Sequence, residues 1–339
     1  MTEKKQRIEE VFIFDQIRLP MSAFRVIHDE SKREDREEAT GLWDKAFEAL
    51  LDERRRQIAS DPRYFDGHLL SFDFLNNGDG PSRLMGVRDT RYSTHKTMEA
   101  RLLADPSSGN RLTRTQNVVA FVETADGKIV LGYRSGSSED FGGMYLPPAG
   151  FSTHKGKVGE DYFGELSKEE IREEIGVDLK EGRMLYLGFV GGTDTRCTSV
   201  LTYTKLNHTS EEVEKLFRAS NEKLRSAGKR LEHDHLIYLP IGQSDVAAFL
   251  AGDYDGELNQ YAHIAFENGV FAQGPELVLG KSYQQIGEGI GGFINLMGIL
   301  SGWDAANELE RGVKESGIVG RISHIEPNSK LLYNKDMPL

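Results

Sequence analysis

Nine residues near the middle of the chain, 169–177, predict a helix with a crowded acidic face. Glu170, Glu173 and Glu174 stand at i, i+3 and i+4 spacing, so their three carboxylates share one face of a helix. Gly176 then predicts the end of that helix. Like charges this close weaken a helix by roughly 0.2–0.5 kcal/mol per pair. The pattern therefore indicates either a solvated acidic surface or a site for a hard divalent cation such as Mg²⁺, which prefers carboxylate oxygens.

A β-hairpin signal and a loop rich in glycine and proline come before this helix. Residues 118–122 and 129–134 are apolar, β-branched runs on either side of the pair Asp126-Gly127, which favours a tight hairpin turn. Residues 142–151 read Gly-Gly-Met-Tyr-Leu-Pro-Pro-Ala-Gly-Phe, a composition typical of a loop. The hairpin therefore leads through this loop and a charged insertion to the acidic helix.

This order of elements resembles the Nudix hydrolases over roughly residues 113–250. The fingerprint of that family is a glycine, a glutamate and then Arg-Glu-apolar-x-Glu-Glu-x-Gly-apolar. The resemblance implies an α/β (α+β) fold, an α/β/α sandwich built on a mixed sheet. It also implies a bound Mg²⁺, with Mn²⁺ as the alternative, held by Glu170, Glu173 and Glu174.

Two departures from the fingerprint bear on the geometry of that metal site. The family's arginine, which orients the glutamates through an ion pair, falls on Glu169, so the charge is reversed. The upstream glycine and glutamate are also spaced differently: Gly159-Glu160 and Glu165 compete for the glutamate position, and Gly150 lies beyond an insertion. The missing positive charge has three candidate sources, Arg172, Lys168 and Lys155.

The order of elements in the N-terminal third of the chain resembles one particular group of Nudix proteins. Residues 40–58 predict an amphipathic helix, capped by Thr40, with one apolar stripe (Leu42, Trp43, Ala46, Phe47, Leu50 and Leu51). Two strands at residues 65–74 and 82–88 flank the turn 76–80, and a polar loop with a basic cluster follows at 91–96. This order is similar to the Nudix proteins that cleave UDP-glucose and UDP-galactose, which carry a small β-rich N-terminal domain over the active site and also lack the helix arginine.

The predicted organisation therefore has three parts. Residues 1–112 are expected to form the N-terminal β-rich domain, 113–300 the Nudix domain and 301–339 a C-terminal extension. Within the second part, strands are predicted at 184–190, 198–203 and 231–240, with helices at 211–227, from about 244 and at 282–300. The inward residues of the 211–227 helix are Val213, Leu216 and Phe217, and the chain from about residue 315 is expected to be a loose tail.

The chemistry of a phosphoanhydride suggests roles for several further residues. Glu173, Glu174 or the downstream Glu232 would act as the general base on a water, although Glu232 and Asp234 are equally well read as exposed loop acids. Arg134 would pair with phosphate through its planar guanidinium, or lie at the surface. The remaining substrate-binding candidates are Gly150 and, if the N-terminal domain covers the cleft, Arg91, Tyr92 and Lys96.

His233 and His235 suggest a metal site less strongly. Strict alternation would place both imidazoles on one face of the 231–240 strand. The sequence offers no matched third ligand for them.

Composition excludes several classes of function. A net charge of −12 and a pI near 5.3 argue against nucleic-acid binding, which needs a basic surface. No apolar run approaches the roughly 20 residues that span a bilayer, and residues 1–6 lack the apolar core of a secretion signal. The one cysteine, Cys197, cannot form an internal disulfide, which suits a reducing cytoplasm. A cytoplasmic protein is expected, and a homodimer is a candidate assembly because many Nudix enzymes are dimers.

Three functions remain open at this point. The first is Mg²⁺-dependent hydrolysis of a UDP-sugar to a nucleoside monophosphate and a sugar 1-phosphate. The second is an ADP-ribose or dinucleotide pyrophosphatase on the same scaffold. The third is a catalytically weak Nudix domain that serves as a ligand sensor or interaction module, for which Glu169 is the discriminating feature.

Overall fold

The computed structural model describes residues 8–33, 44–60, 66–76, 83–104, 114–134, 145–153, 161–179, 184–192, 197–229, 231–251, 254, 256, 258, 287–325 and 331–333. The strands in these ranges are β1 (Ile8–Pro20), β2 (Phe24–Arg33), β3 (His68–Asn76), β4 (Arg83–Arg91), β5 (Thr115–Glu123), β6 (Lys128–Arg134), β7 (Tyr145–Leu146), β8 (Ala149–Phe151), β9 (Leu185–Gly192), β10 (Cys197–Lys205), β11 (His233–Pro240), β12 (Val319–His324) and β13 (Leu331–Tyr333). The α-helices are α1 (Lys45–Ser60), α2 (Tyr92–Ala104), α3 (Tyr162–Ile175), α4 (Ser210–Ser226), α5 (Gln243–Ala251), α6 (Gly287–Ser301) and α7 (Trp303–Glu315).

All the described strands belong to one mixed sheet. Its main path runs β12-β1-β9-β10-β5-β3-β4-β2, and β6, β7, β8, β11 and β13 pair with strands beside this path. The pairs β1–β12, β5–β10 and β2–β4 are parallel, whereas β1–β9, β9–β10, β3–β4 and β6–β11 are antiparallel. The predicted hairpin at Asp126-Gly127 is present, with Glu123 opposite Ile129 and Gly127 at φ +76°.

Helices cover both faces of this sheet and bury it on both sides. In β5, Val118, Ala120 and Val122 face one apolar cluster, while Val119 and Phe121 face the other, as the period of two requires. The first cluster includes apolar side chains of α3 and α4, and the second includes those of α5, α6 and α7. Burial on both faces explains why residues 118–122 read as a continuous apolar run. The α/β (α+β) class and the α/β/α sandwich with a mixed sheet are therefore confirmed.

The segment before residue 113 shares this sheet and core. Strand β1 pairs with β9, and Phe24 of β2 contacts Phe163 of α3 with ring centroids 5.6 Å apart. The division into residues 1–112, 113–300 and 301–339 stays a prediction. The expected loose tail after about residue 315 is wrong, because β12 lies there and pairs with β1.

Two N-terminal elements differ from their predicted form. Helix α1 begins at Lys45, where the Asp44 carboxylate accepts the Phe47 N–H (2.8 Å), rather than at Thr40, which lies outside the described residues with Leu42 and Trp43. Leu50 is 48% exposed, so it does not belong to the buried stripe. The predicted polar loop at residues 91–96 is instead the end of β4 and the start of α2.

The later helices follow their predictions more closely. Helix α4 has a capping box between Thr209 and Glu212, and Val213 and Phe217 are buried. Leu216, by contrast, is 37% exposed, so its predicted inward position is wrong. None of the helices in the described ranges combines the length and the apolar character that crossing a membrane would require.

Helix α2 contains a partly buried charge network whose contribution to the stability of the fold depends on pH. Glu99 lies 3.2 Å from His95 Nε2 and 2.7 Å from Lys96 Nζ. Burial alone would raise the pKa of Glu99, but the His95 hydrogen bond and the charges of His95 and Lys96 outweigh it and lower that pKa from 4.5 to about 2. The stabilisation is therefore present above pH 4.5 and is lost as the pH falls towards 2, a difference of roughly 3 kcal/mol at most.

We accordingly expect Glu99→Gln to lower the free energy of unfolding at pH 7 and to flatten its decline between pH 4.5 and 2. Urea unfolding at a series of pH values, followed by circular dichroism, measures both effects. Equal slopes in the wild type and the variant across that pH range would contradict the role given to this network.

Candidate functional site

The acidic helix is present as α3, and its end is set by Gly176. This glycine has φ +75° and donates its N–H to the Arg172 carbonyl (3.2 Å). A Cβ at this position would lie 2.9 Å from the Leu216 carbonyl of α4. The left-handed conformation and the close approach of α4 both require glycine, which explains the helix end that the sequence predicts.

Glu174 is the most deeply buried carboxylate of α3, at 3% exposure. Its Oε2 accepts the Ala149 N–H from β8 (3.1 Å) and lies 3.1 Å from Nε2 of His233 on β11. Its Oε1 is also buried and has no hydrogen-bond partner among the described residues. One carboxylate thus joins the helix, the β8 segment and β11.

Glu170 occupies the space that Gly150 leaves open. A Cβ on Gly150 would overlap the Glu170 carboxylate and would lie 2.6 Å from its Oε2. Gly150 and Ala149 are neighbours in β8, so the end of the Leu-Pro-Pro-Ala-Gly segment contacts both Glu170 and Glu174. The loop and the helix that the sequence connects therefore meet in space.

These two carboxylates share an unfavourable electrostatic environment. Burial, followed by the charges of Glu174 and Glu232, raises the pKa of Glu170 far above its ordinary range. Burial and the charge of Glu232 also raise the pKa of Glu174, while the Arg134 guanidinium and the Ala149 N–H oppose that rise. A nearby cation would relieve this accumulation of negative charge.

The donor set suits a hard divalent cation, although it is not a complete cage. Glu173 is exposed on α3 and Glu232 is 43% exposed, and both carboxylates act electrostatically on Glu170 and Glu174. Within the described ranges, no three His, Cys, Asp or Glu side chains converge closely enough to hold a metal ion. The buried Oε1 of Glu174 and the crowded carboxylates are nevertheless the oxygen donors that Mg²⁺ or Mn²⁺ prefers.

Arg134 and Glu232, which the sequence assigns to phosphate and to the general base, form an ion pair with each other. Arg134 Nη2 lies 3.1 Å from Glu232 Oε1 at the ends of β6 and β11. The pair places one guanidinium and one further carboxylate beside Glu174. Their individual roles in chemistry stay predictions.

The three N-terminal candidates lie at or near the start of α2. Tyr92 contacts the edge of Phe151, the residue after Gly150, with ring centroids 6.3 Å apart. Arg91 lies 3.3 Å from His68 Nε2, and Lys96 donates to Glu99 (2.7 Å). Tyr92 is therefore the member of this set that contacts the β8 segment through a ring, and the substrate roles of all three stay predictions.

The two histidines of β11 lie on opposite faces of the sheet, so their predicted common face is wrong. His233 pairs with Arg134 and His235 pairs with Tyr133, which leaves Asp234 as the extra residue of a β-bulge. His233 consequently faces Glu174 of α3, whereas His235 stacks on Tyr133 with centroids 4.7 Å apart. Burial lowers the pKa of each imidazole to about 4.

The structure also bears on the missing positive charge of the helix. Lys168 pairs with Glu165 (2.7 Å), Arg172 is exposed, and Lys155, Gly159 and Glu160 lie outside the described residues. The cation that acts on Glu174 is instead Arg134 of β6. Sequence reasoning missed this role of Arg134 and the contact of His233 with Glu174, because both depend on pairing between β6 and β11 rather than on helical spacing.

Comparison with solved structures finds distant similarities. No family model and no curated protein matches the chain. DR0079 from Deinococcus radiodurans is 15% identical over 45% of this chain and 82% of its own, with a TM-score of 0.30. The MutT protein from Methanosarcina mazei is 16% identical over 46% and 91%, with a TM-score of 0.25. The Nudix domain of Shewanella oneidensis NrtR, solved with ADP-ribose, is 20% identical over 40% and 91%, with a TM-score of 0.24. Any function proposed for this chain must therefore be argued from its own residues and their geometry.

Proposed function

We propose that this chain is a Nudix-type hydrolase that cleaves the diphosphate of a nucleoside diphosphate linked to another moiety. The observation that carries the proposal is the contact between α3 and β8. Glu170 lies against Gly150, and Glu174 accepts the Ala149 N–H, so the carboxylates of the fingerprint meet the loop that precedes them. A solvated acidic face does not explain why Glu174 is buried with an unpaired oxygen.

The residues divide the work of hydrolysis as follows. Glu170 and Glu174, together with Glu173, would hold Mg²⁺ or Mn²⁺. When bound, such an ion neutralises diphosphate oxygens and lowers the pKa of a water. Glu232, which is partly exposed and ion-paired with Arg134, takes a proton as general base. Arg134, which already lies beside Glu232, binds a phosphate oxygen through its planar guanidinium.

A UDP-sugar is the proposed substrate, with UDP-glucose as its simplest representative. The N-terminal part of the chain supports this choice because it reaches the β8 segment. Tyr92 contacts Phe151, next to Gly150, and Phe24 packs on Phe163 at the start of α3. An N-terminal segment beside the catalytic loop is the arrangement that the resemblance to UDP-sugar hydrolases implies. The products would be UMP and glucose 1-phosphate.

Two observations favour a different class of function. Glu169 replaces the arginine that orients the glutamates, and the described carboxylates do not form a complete metal cage. A catalytically weak Nudix domain that senses or binds a nucleotide would show these same features.

An assay with three substrates separates these readings. UDP-glucose, ADP-ribose and NADH are each incubated with Mg²⁺ or Mn²⁺, and the products are identified by phosphorus NMR. We expect UDP-glucose to be cleaved fastest, and we expect Glu170→Gln to lower kcat/KM by about 100-fold or more because an oxygen donor is lost. Glu222→Gln, which changes an exposed glutamate of α4, is the control and should keep wild-type activity.

Each result decides between the candidate functions. Faster cleavage of ADP-ribose or NADH than of UDP-glucose would show that the proposed substrate is wrong, while the proposed diphosphate hydrolysis would still hold. No turnover of any of the three with either metal would overturn the hydrolase proposal in favour of a binding module. Full activity in Glu170→Gln would show that the metal site is misassigned.

A further inference from the structure

The two oxygens of the Glu174 carboxylate have different surroundings. Oε2 accepts the Ala149 N–H and lies 3.1 Å from His233 Nε2, whereas Oε1 is buried without a hydrogen-bond partner among the described residues. We propose that His233 is a positioning residue: it holds Oε2 in place, so that Oε1 is the oxygen left for the divalent cation. This inference rests on the proposed metal-dependent function and adds a residue that the fingerprint does not contain.

Three features of the structure set the position of His233 and of its ring. The β-bulge at Asp234 turns His233 towards α3 instead of leaving it in phase with His235. Gly132 of β6 makes room for the ring, because a Cβ there would lie 2.5–2.7 Å from ring atoms of His233. The carbonyl of His233 accepts a hydrogen bond from Asn221 Nδ2 of α4 (3.4 Å). The ring is therefore placed by β6 and by the bulge in β11, while α4 holds the backbone of the same residue.

Burial makes this contact more consequential than a surface pair. The side chains of His233 and Glu174 are each 1% exposed, so water does not replace a lost partner easily. Ala149 and His233 converge on one oxygen from two different elements, which restricts rotation of the carboxylate about its final bond. A partner that orients a ligand in this way typically changes metal affinity by about 10–100-fold when it is removed.

The test measures Mn²⁺ binding directly, with the metal alone as the probe. Electron paramagnetic resonance gives the Kd for Mn²⁺ of wild type, His233→Phe and His233→Gln in the absence of substrate. We expect His233→Phe to raise that Kd by about 10–100-fold. His233→Gln, which can donate to Oε2, should recover at least part of the affinity. The matched control is His235→Phe, which removes the half-buried histidine on the other face of the same strand and should leave the Kd unchanged.

The outcomes separate this inference from a structural role and from the proposed function. A wild-type Kd in His233→Phe, an equal loss in His235→Phe, or no recovery in His233→Gln would each overturn the inference. If His233→Phe does not fold, Gly132→Ala can be used instead, because it displaces the ring of His233 without removing it. An unchanged Kd for Mn²⁺ in Gly132→Ala would then overturn the inference. If wild type binds Mn²⁺ through a His233-dependent site yet cleaves no diphosphate, the inference stands and the proposed hydrolase function fails.

Discussion

Glu174→Gln is expected to lower kcat/KM for diphosphate hydrolysis by about 100-fold or more and, in metal-free buffer, to stabilise the protein. Activity falls because the buried Oε1 ceases to be a charged donor. Stability rises because burial, and after it the charges of Glu232 and Glu173, disfavour an ionised carboxylate at this position, whereas an amide of the same size carries no charge. Neutralising a buried, incompletely paired charge typically adds about 1 kcal/mol or more to the free energy of unfolding.

Glu214 of α4 provides the matched control for this variant. It is also buried, but its carboxylate pairs with Arg218 (2.7 Å) and accepts the Tyr238 hydroxyl (2.9 Å). Glu214→Gln should therefore lower stability and keep activity. Urea unfolding with EDTA, repeated with Mg²⁺, measures both variants: the metal should stabilise wild type and Glu214→Gln but not Glu174→Gln. Destabilisation of both variants in EDTA would mean that Glu174 is a structural residue.

Gly150→Ala is expected to reduce activity by about 10–100-fold while changing the free energy of unfolding little. The new Cβ would overlap the Glu170 carboxylate, which is the movable end of a flexible side chain. Glu170 can therefore rotate away without disturbing the core, but its oxygens then leave the site beside Glu174. Steady-state kinetics and thermal unfolding of the same preparation test the two halves of this prediction.

Alanine substitutions at two other glycines serve as controls for Gly150→Ala. Gly312 of α7 has no atom within 4 Å of an added Cβ, so Gly312→Ala should keep activity and stabilise the helix by about 0.5–1 kcal/mol. At Gly292 of α6, a Cβ would lie 2.6 Å from the Phe121 ring, so Gly292→Ala should destabilise the core. Full activity in Gly150→Ala would show that Glu170 does not need its observed position.

The acidic helix could be predicted because its signals are local. The spacing of Glu170, Glu173 and Glu174 and the stop at Gly176 depend on residues within two turns, and α3 has that form. The same is true of the Asp126-Gly127 turn. Helical and turn geometry need no information from distant parts of the chain.

Features that depend on distant residues could not be predicted in the same way. The sequence predicts a polar loop at residues 91–96, where the structure has the start of α2. That helix start is stabilised by Asp66, whose carboxylate accepts the Ser93 N–H (2.8 Å) from 27 residues away. The bulge at Asp234 reverses the phase of His233, and simple alternation does not reveal a bulge. The site residues that were missed lie where a distant strand, rather than the helix, determines which side chains meet.

The pairing of β1 with β9 and β12 means that β1 is synthesised long before the strands that pair with it. At about 5–20 residues per second, the roughly 300 residues between β1 and β12 take on the order of 15–60 s to synthesise. During that interval β1, with its buried Phe12 and Phe14, is made but its partner Val319–His324 is not. An open apolar strand edge is a template for mispairing between chains. During synthesis, the edge of β1 that pairs with β12 therefore stays open until Val319–His324 has been made.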